Sequence, residues 1–462
     1  MQPAVCALAA LAILPAAASA QCQLQKHLPD PAYNGFGIYT ALSDNYGAVA
    51  SDSEGDSPAT AFVLYRRAGN TLTHVGPLLP SEGVNPSTTR YGHGIAMHGN
   101  TIVTTDYMAN NFAGRVYTFV DTGTAFAQQA TLNPPAGVQA FGTAVATDGA
   151  RLVVTTSWTH PNGGPGGNAF VYTRTPTGWA HVQSNLNPSM MDGPEFGMSV
   201  SLQGDTLAIG APDQFDPGFY GSVFVYIWNG TQYELHSQVL PPAEIFPPNG
   251  YGMGVLVHND LLFVGAPDRP FSGQVYTYRR NGNNYDYVET INPGTYNNEF
   301  GRRLAFLPET STLIVSAEGD MTSGASAGAV YPYQISPQGN ATPLPPIYPN
   351  DAAEGQRFGA CVAASNGLLL IGARSDGDGS AYVFTPTGPC APACPGDQCG
   401  PQDYNGDGDS GTDQDIEAFF ACLGGTCCET CFCQGSDFNG DGDIGTDQDI
   451  EAFFRVLGGN PC

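Results

Sequence analysis

The chain has 462 residues, 42% of them hydrophobic and 12% charged, and 42 acidic against 15 basic residues give it a net charge of −27. That length suits one large repeat domain with a small companion, and the charge excludes nucleic acid as a partner because nothing is present to neutralise phosphate. The charge is also uneven, since residues 390–462 hold eleven Asp, three Glu and one Arg, a net −13. Residues 1–20, "MQPAVCALAALAILPAAASA", are apolar and end in Ala18-Ser19-Ala20. They predict a secretory signal peptide cut before Gln21, although no Lys or Arg precedes the apolar run. Gln21 is not the small residue that a lipidated Cys22 would need before it. No later segment reaches the roughly 18 apolar residues of a membrane span. The mature chain is therefore expected to be secreted, extracellular or attached at the cell surface, with no membrane span.

Twelve cysteines fit an oxidising compartment. Cys6 leaves with the signal peptide, and Cys361 in "FGACVAAS" sits on an expected inner strand as a buried thiol. Cys22 and nine cysteines between Cys390 and Cys462 remain. Disulfides are the expected state of the tail. The "CCETCFC" run at 427–433 offers zinc as an alternative but lacks paired CxxC spacing.

From residue 36 onward an aromatic-Gly pair recurs at Phe36-Gly37, Tyr91-Gly92, Phe141-Gly142, Phe196-Gly197, Tyr251-Gly252, Phe300-Gly301 and Phe358-Gly359. Each pair leads into a short strand, a polar turn and a second apolar strand such as "TLAIGAPD" or "LLFVGAPD". A Gly-rich loop follows, then a third strand such as "GRVYTF", "GSVFVYIW" or "GQVYTYRR", and a weaker fourth near "LNP" or "LPP". Four short strands in each unit of about fifty residues predict the blades of a β-propeller. The seventh unit stops at "AYVFTPTGPC", while "CQLQKHLPDP" before the first pair supplies the missing strand. The N-terminus is thus expected to complete the last blade, bringing Cys22 near Cys390 for a disulfide clasp that closes a long loop.

These units resemble the FG-GAP repeats of the integrin α-chain propeller and of related bacterial secreted proteins, over about 36–389. The best matches are "FGMSVSLQGDTLAIGAPD" at 196–213 and "YGMGVLVHNDLLFVGAPD" at 251–268. Units one, two, three and six lack the Gly-Ala-Pro part. Some family members hold calcium after that motif; "DSEGD" (52–56) and "SDGDG" (375–379) are the nearest approach here, and Gly-Asp turns explain both at least as well.

After a Cys/Pro/Gly-rich linker at 390–402, the tail 403–462 contains "DYNGDGDSGTDQDIEAFFACLGG" and then "DFNGDGDIGTDQDIEAFFRVLGG". Asp403, Asn405 and Asp407 alternate so that their oxygens turn toward one centre, which suits a hard cation. Gly408 permits the turn and Asp409 adds an oxygen. Thr412 is the expected N-cap of a helix whose Ile416, Phe419, Phe420 and Leu423 share one face. Asp437, Asn439, Asp441, Gly442, Asp443, Thr446, Ile450, Phe453, Phe454 and Leu457 repeat the pattern. The pair resembles a type I dockerin, a tandem EF-hand-like module binding two Ca2+ ions. Where that family has a carboxylate twelve residues into the loop, Gln414 and Gln448 stand here. Aligning on the helix instead gives Asp415 and Asp449, with Asp413 and Asp447 also candidates. The resemblance implies docking onto a cohesin-like or cell-envelope protein; a self-contained calcium clip competes with that expectation.

The expected fold is mainly β: a seven-bladed propeller (21–389) closed by an N-terminal strand, plus a small α-helical domain with two calcium loop-helix units. No nucleophile elbow, HExxH or phosphate-cradling loop is present, so no catalytic residues are assigned. His98 and His258 fall in inter-strand turns, while His93 could face the central channel. The leading expectation is a secreted, non-catalytic recognition or adhesion protein. Its propeller rim would take a protein or glycan ligand through aromatics such as Tyr107, Trp158 and Phe219-Tyr220. The alternatives are a polysaccharide hydrolase or lyase, and a structural envelope component.

Overall fold

The computed structural model describes residues 22–29, 35–51, 62–83, 90–123, 125–157, 167–188, 195–212, 221–242, 250–267, 273–294, 299–385, 413–423 and 447–457. The chain divides into two compact units, Met1–Thr387 and Gly388–Cys462.

The first unit is a seven-bladed β-propeller of seven four-stranded antiparallel sheets. The innermost strands of blades one to seven are Tyr39–Leu42, Ile95–His98, Val145–Thr147, Ser199–Gln203, Gly254–His258, Leu304–Leu307 and Phe358–Ser365. Blade four shows the plan: Ser199–Gln203, Thr206–Ala211, Ser222–Trp228 and Tyr233–Val239 follow one another outward in chain order.

Blade seven breaks chain order, as the sequence predicts. Its outer strand is Cys22–His27, paired antiparallel with Ser380–Thr385. The pairing skips Leu24, and an equivalent bulge skips Val75, Gln129, Val182, His236 and Val288 in the outer strands of blades one to five. The N-terminal strand therefore fills the structural role of an ordinary fourth strand, and closure leaves the ring without an unpaired blade. Lys26 clamps it, with Nζ 2.5 Å from Asp351 and 2.9 Å from Asp376. Burial alone would lower the Lys26 pKa, but hydrogen bonds and attraction to these two carboxylates outweigh it and raise the pKa. The side chains of Cys22 and Cys390, and so the expected clasp, lie outside the described residues.

Apolar cores form between blades rather than within them, because each sheet can bury its faces only against its neighbours. One joins Val153 and Val171 of blade three to Phe196, Leu207, Ile209 and Phe224 of blade four. All seven aromatics of the aromatic-Gly pairs are at most 1% exposed. Six meet an aromatic of their own blade's third strand edge-on or tilted, as Tyr91 meets Tyr117, Phe141 meets Phe170 and Tyr251 meets Tyr276.

The glycine that opens most third strands has a packing cause. A Cβ on Gly114, Gly167, Gly221, Gly273, Gly328 or Gly379 would lie 1.7–2.2 Å from the backbone oxygen of the next blade's aromatic. Parallel bridges join Gly114 to Phe141, Gly328 to Phe358 and Gly379 to Phe36 at this seam. No helix among the described residues is long and apolar enough to cross a membrane.

The second unit contains two helices, α1 (Asp413–Leu423) and α2 (Asp447–Leu457). Phe419 and Phe453 are fully buried and stack with ring centroids 4.0 Å apart and planes 14° apart. The single apolar face expected for each helix is divided: Phe420 and Phe454 are 44% and 48% exposed. Consecutive residues on a helix are about 100° apart, so the stacked pair takes the interior and leaves the following ring at the surface.

Candidate functional site

Because the sheets are antiparallel, the strand ends that carry the aromatic-Gly pairs share one face of the ring with the ends of the second strands and the starts of the third. At each pair the aromatic is locked in the core, and the glycine adopts φ between 88° and 100°. That left-handed backbone turns the chain abruptly onto the axis, a conformation an L side chain rarely adopts. The next two residues are delivered to the mouth of the central channel. Both of them in blades two to six, and the second of them in blades one and seven, line a cavity of about 330 Å3 that also includes Thr40, Ile95, Val145, Val200, Val255 and Leu304.

The first residue after each pair includes His93, Thr143, Met198, Met253 and Arg302; the second includes Gly94, Ala144, Ser199, Gly254 and Cys361, all small. Blades one and six depart by placing Tyr39 and Arg303 at that second position. These two occupy the centre: the Arg303 guanidinium lies 5.5 Å from the Tyr39 ring centroid, within cation–π range. His93 packs 4.7 Å from Tyr39, and Tyr107 meets His93 edge-on at 4.5 Å. Tyr107, expected to stand on the rim, is instead part of the mouth. Trp158, Phe219 and Tyr220 lie outside the described residues.

The electrostatics are asymmetric. Arg302 is 2.7 Å from Glu299 and 3.7 Å from Glu318; Arg374 is 2.9 Å from Glu318 and Arg357 3.9 Å from Glu299. Glu299 and Glu318 are 2% and 3% exposed, so their charges are balanced within the protein. Arg303 differs. Among the described residues no carboxylate lies within ion-pair distance of it, none lines the cavity, and its buried Nε has no hydrogen-bond partner. Burial, then the positive charges of Arg303 and Arg90, push the His93 pKa down to about 3, so the imidazole is neutral at physiological pH. Its Nδ1 is also buried without a partner. Burial raises the Tyr39 pKa, keeping the phenol protonated.

His93 faces the channel, as its place after Tyr91-Gly92 suggests, and Cys361 is the buried inner-strand thiol expected, donating from Sγ toward the Thr40 carbonyl. His98 and His258, expected in inter-strand turns, are instead the last residues of the strands Ile95–His98 and Gly254–His258, and His258 stacks on Phe306 at 4.0 Å. The loop at 375–379 is occupied by internal partners, since Asp376 accepts from Lys26, Ser380 and Tyr382. Residues 52–56 lie outside the described set. The sequence reasoning missed Tyr39, Arg302 and Arg303; their signal was a large residue within two places after an aromatic-Gly pair.

Of the expected calcium ligands, Asp403, Asn405, Asp407, Asp409, Asp437, Asn439, Asp441 and Asp443 lie outside the described residues. Asp415 and Asp449 belong to α1 and α2, but their side chains lie outside the description too.

The FG-GAP repeat family matches residues 190–226 and 346–384, within blades four and seven. No curated protein matches the chain. Among solved structures it is similar to the periplasmic gluconolactonase of Pseudomonas aeruginosa, with 17% identity over 74% of this chain and 96% of that one, at TM-score 0.47. A Lactobacillus plantarum protein matches at 15% identity over 75% and 97%, at TM-score 0.46. Sqt1 from Chaetomium thermophilum matches at 12% identity over 77% and 82%, at TM-score 0.45. The chain contains a seven-bladed β-propeller, and two of its segments match the FG-GAP repeat family.

Proposed function

We propose that this is an exported recognition protein that takes its ligand at the channel mouth and loop-bearing face of the propeller. The observation supporting it is the Arg303–Tyr39–His93 cluster at the axis. It combines an unpaired cation, aromatic walls and a neutral imidazole, which are means of holding a ligand. For acid–base chemistry His93 is poorly placed: its pKa is far below neutrality, and no carboxylate lining the cavity orients it. Non-catalytic binding therefore fits these groups better than hydrolysis. In this proposal the tail anchors the propeller. Oxygens from Asp403, Asn405, Asp407 and Asp409, with Asp415, would hold one Ca2+, and Asp437, Asn439, Asp441, Asp443 and Asp449 a second. The loaded module would then dock to a cohesin-like or envelope protein.

The test immobilises the full mature chain and exposes it to secreted proteins, envelope fractions and polysaccharides, with calcium or with a chelator. The proposal expects one partner captured only in calcium and a second ligand retained in either condition and returned intact. Release of new reducing ends or unsaturated sugars would replace it with the hydrolase or lyase reading. Capture of nothing under either condition would remove it.

A further inference from the structure

We infer that the channel mouth is a binding site for a single carboxylate group, gripped by the Arg303 guanidinium beside the ring of His93. The inference deepens the recognition reading and rests on it, since it names the chemistry that the loop-bearing face takes at its axis.

The argument begins with cost. An arginine shielded in a cavity is expensive unless paired, and proteins normally supply the pair themselves. This chain does so around the same mouth, where Glu299 and Glu318 are shared among Arg302, Arg357 and Arg374. Among the described residues Arg303, the adjacent residue, has the Tyr39 ring beside it and no ion-pair partner, and its buried Nε makes no hydrogen bond. Arg67 and Arg174 also lack a carboxylate partner, but their guanidinium groups donate to protein oxygens. In a chain of net charge −27, a shielded guanidinium with neither kind of partner among the described residues is a departure that calls for a function.

Its placement is also fixed. The Arg303 N–H donates to Ser316 Oγ at 2.9 Å and its carbonyl accepts from the Ser316 N–H at 3.0 Å, pinning the backbone to the second strand of blade six. The side chain projects over Tyr39 and is therefore presented with part of its ordering cost already met. His93 Nδ1, buried and unpartnered, faces the same group of rings.

Charge and shape then select the ligand. Arg302 is balanced by its glutamates and His93 is neutral, so among the described cavity residues one positive charge is left over. One charge matches a monoanion better than a phosphate or sulfate dianion. The planar fork of a guanidinium matches a carboxylate by two parallel hydrogen bonds. A volume of about 330 Å3 admits a small acid or the acidic end of a larger molecule. Met198 and Met253 supply an adaptable apolar wall for whatever carries the carboxylate.

The experiment is calorimetric titration of the full mature chain with acetate, glucuronate, glucose and inorganic phosphate, paired with thermal unfolding in each. Binding of acetate and glucuronate is expected, with glucose silent and phosphate weaker by about tenfold or more. Acetate tight and glucuronate silent would assign the site to small free acids. The reverse would assign it to acidic sugars, and either supports a carboxylate site. Arg303→Gln should abolish the binding, and Arg303→Lys should weaken it by about tenfold, since the charge stays and the fork is lost. If a variant fails to fold, the carboxylate-dependent rise in wild-type melting temperature still decides the matter, because a ligand bound to the folded state must raise it. No heat and no shift with either carboxylate, or unchanged binding by Arg303→Gln, would overturn the inference. Macromolecular ligand capture by Arg303→Gln equal to that of wild type would do the same, while leaving the recognition proposal standing.

Discussion

Blades two, three and six differ from blades four, five and seven at one position, and the difference separates sealing the ring from equipping its mouth. The register is set by the bond from the glycine of each aromatic-Gly pair to the second strand: Gly92 to Thr105, Gly142 to Thr155, Gly197 to Gly210, Gly252 to Gly265 and Gly301 to Ser316. In blade seven the same place falls to Gly372, paired with Cys361. Where it is glycine, the next blade's backbone comes directly against it. A Cβ on Gly210, Gly265 or Gly372 would lie 2.0, 1.8 or 1.7 Å from the carbonyl oxygen of Gly252, Gly301 or Gly37. Where it is Thr105, Thr155 or Ser316, the hydroxyl accepts from Gly94, Ala144 or Arg303 N–H and so holds the channel-lining residue. The hydroxyl blades bring His93, Thr143, Arg302 and Arg303 to the cavity; the glycine blades four and five bring Met198 and Met253. Loss of the Gly-Ala-Pro motif in units two, three and six is thus a substitution of one seam for another. At the third place of the motif, blade two has Tyr107 and blade six Glu318, both at the mouth or in its ion-pair network.

The largest effect that could break this comparison is expected from Gly210→Val. Its branched side chain must displace the Gly252 carbonyl and Ser199 Oγ, which a Cβ would approach to 2.0 and 2.2 Å. A loss of about 3 kcal/mol or more is expected from overpacking against backbone. Urea unfolding would show it as a fall in midpoint with little change in slope. A loss under about 1 kcal/mol would mean the seam is loose and the glycine incidental.

Thr155→Val tests the other seam at nearly constant volume. Thr155 Oγ1 donates to the Gly197 carbonyl at 2.6 Å and accepts from Ala144 N–H at 3.0 Å, both in or beside the core. Removing the hydroxyl strands two backbone groups, at a cost of about 2 kcal/mol. Thr155→Gly should not rescue it, because blade four is not positioned to approach a bare glycine there. Recovery by Thr155→Gly would show the two seams to be interchangeable.

Most of the fold was legible because repetition is visible without coordinates. Aromatic-Gly pairs, glycine-led third strands and a missing seventh outer strand together specified the ring and its closure by Cys22–His27. The site was less legible for a geometric reason. Tyr39 and Arg303 are about 260 residues apart in sequence, and only the ring brings them together. The exchange of Gly210 for Thr155 was hidden as well, since it needs the hydrogen-bond register rather than the residue type. In the tail, the repeat predicted both helices, but not that Phe419 and Phe453 would stack and leave Phe420 and Phe454 exposed. An apolar stripe does not state which of two adjacent rings a partner helix will take.

Blade seven sharpens the comparison, having a glycine seam but an outer strand from the far end of the chain. His27 on that strand packs 4.5 Å from the Tyr65 ring, and its buried Nε2 has no partner. Burial, with a smaller contribution from His74, lowers its pKa to about 4. The unfolded chain takes this proton near pH 6.5 and the folded chain only near 4. Stability is therefore complete above the unfolded value and falls as pH drops from about 6.5 toward 4. His27→Phe should remove that dependence, giving a relative gain of about 2 kcal/mol at pH 5 and little change at pH 8. Denaturant midpoints at the two pH values would check it. Equal effects at both would show that strand closure does not depend on this ring.

The smallest effect separates the mouth from the seams. Arg303→Gln leaves the Ser316 bonds intact, because they are made by the Arg303 backbone, and it removes a shielded cation that lacks a counter-charge among the described residues. Stability should be unchanged or raised by up to about 1 kcal/mol, the sign expected when a group is kept for binding rather than folding. The same substitution at Arg302 removes the 2.7 Å partner of Glu299, a carboxylate that is 2% exposed, and leaves it the more distant Arg357 at 3.9 Å. That change should destabilise by about 1–3 kcal/mol, discounted for the partial exposure of the arginine. Neighbouring arginines with opposite signs in one denaturation experiment would show that blade six carries both functions, one in its ion pairs and the other at the axis. Equal losses at the two positions would make Arg303 a structural residue and place ligand binding elsewhere on the face.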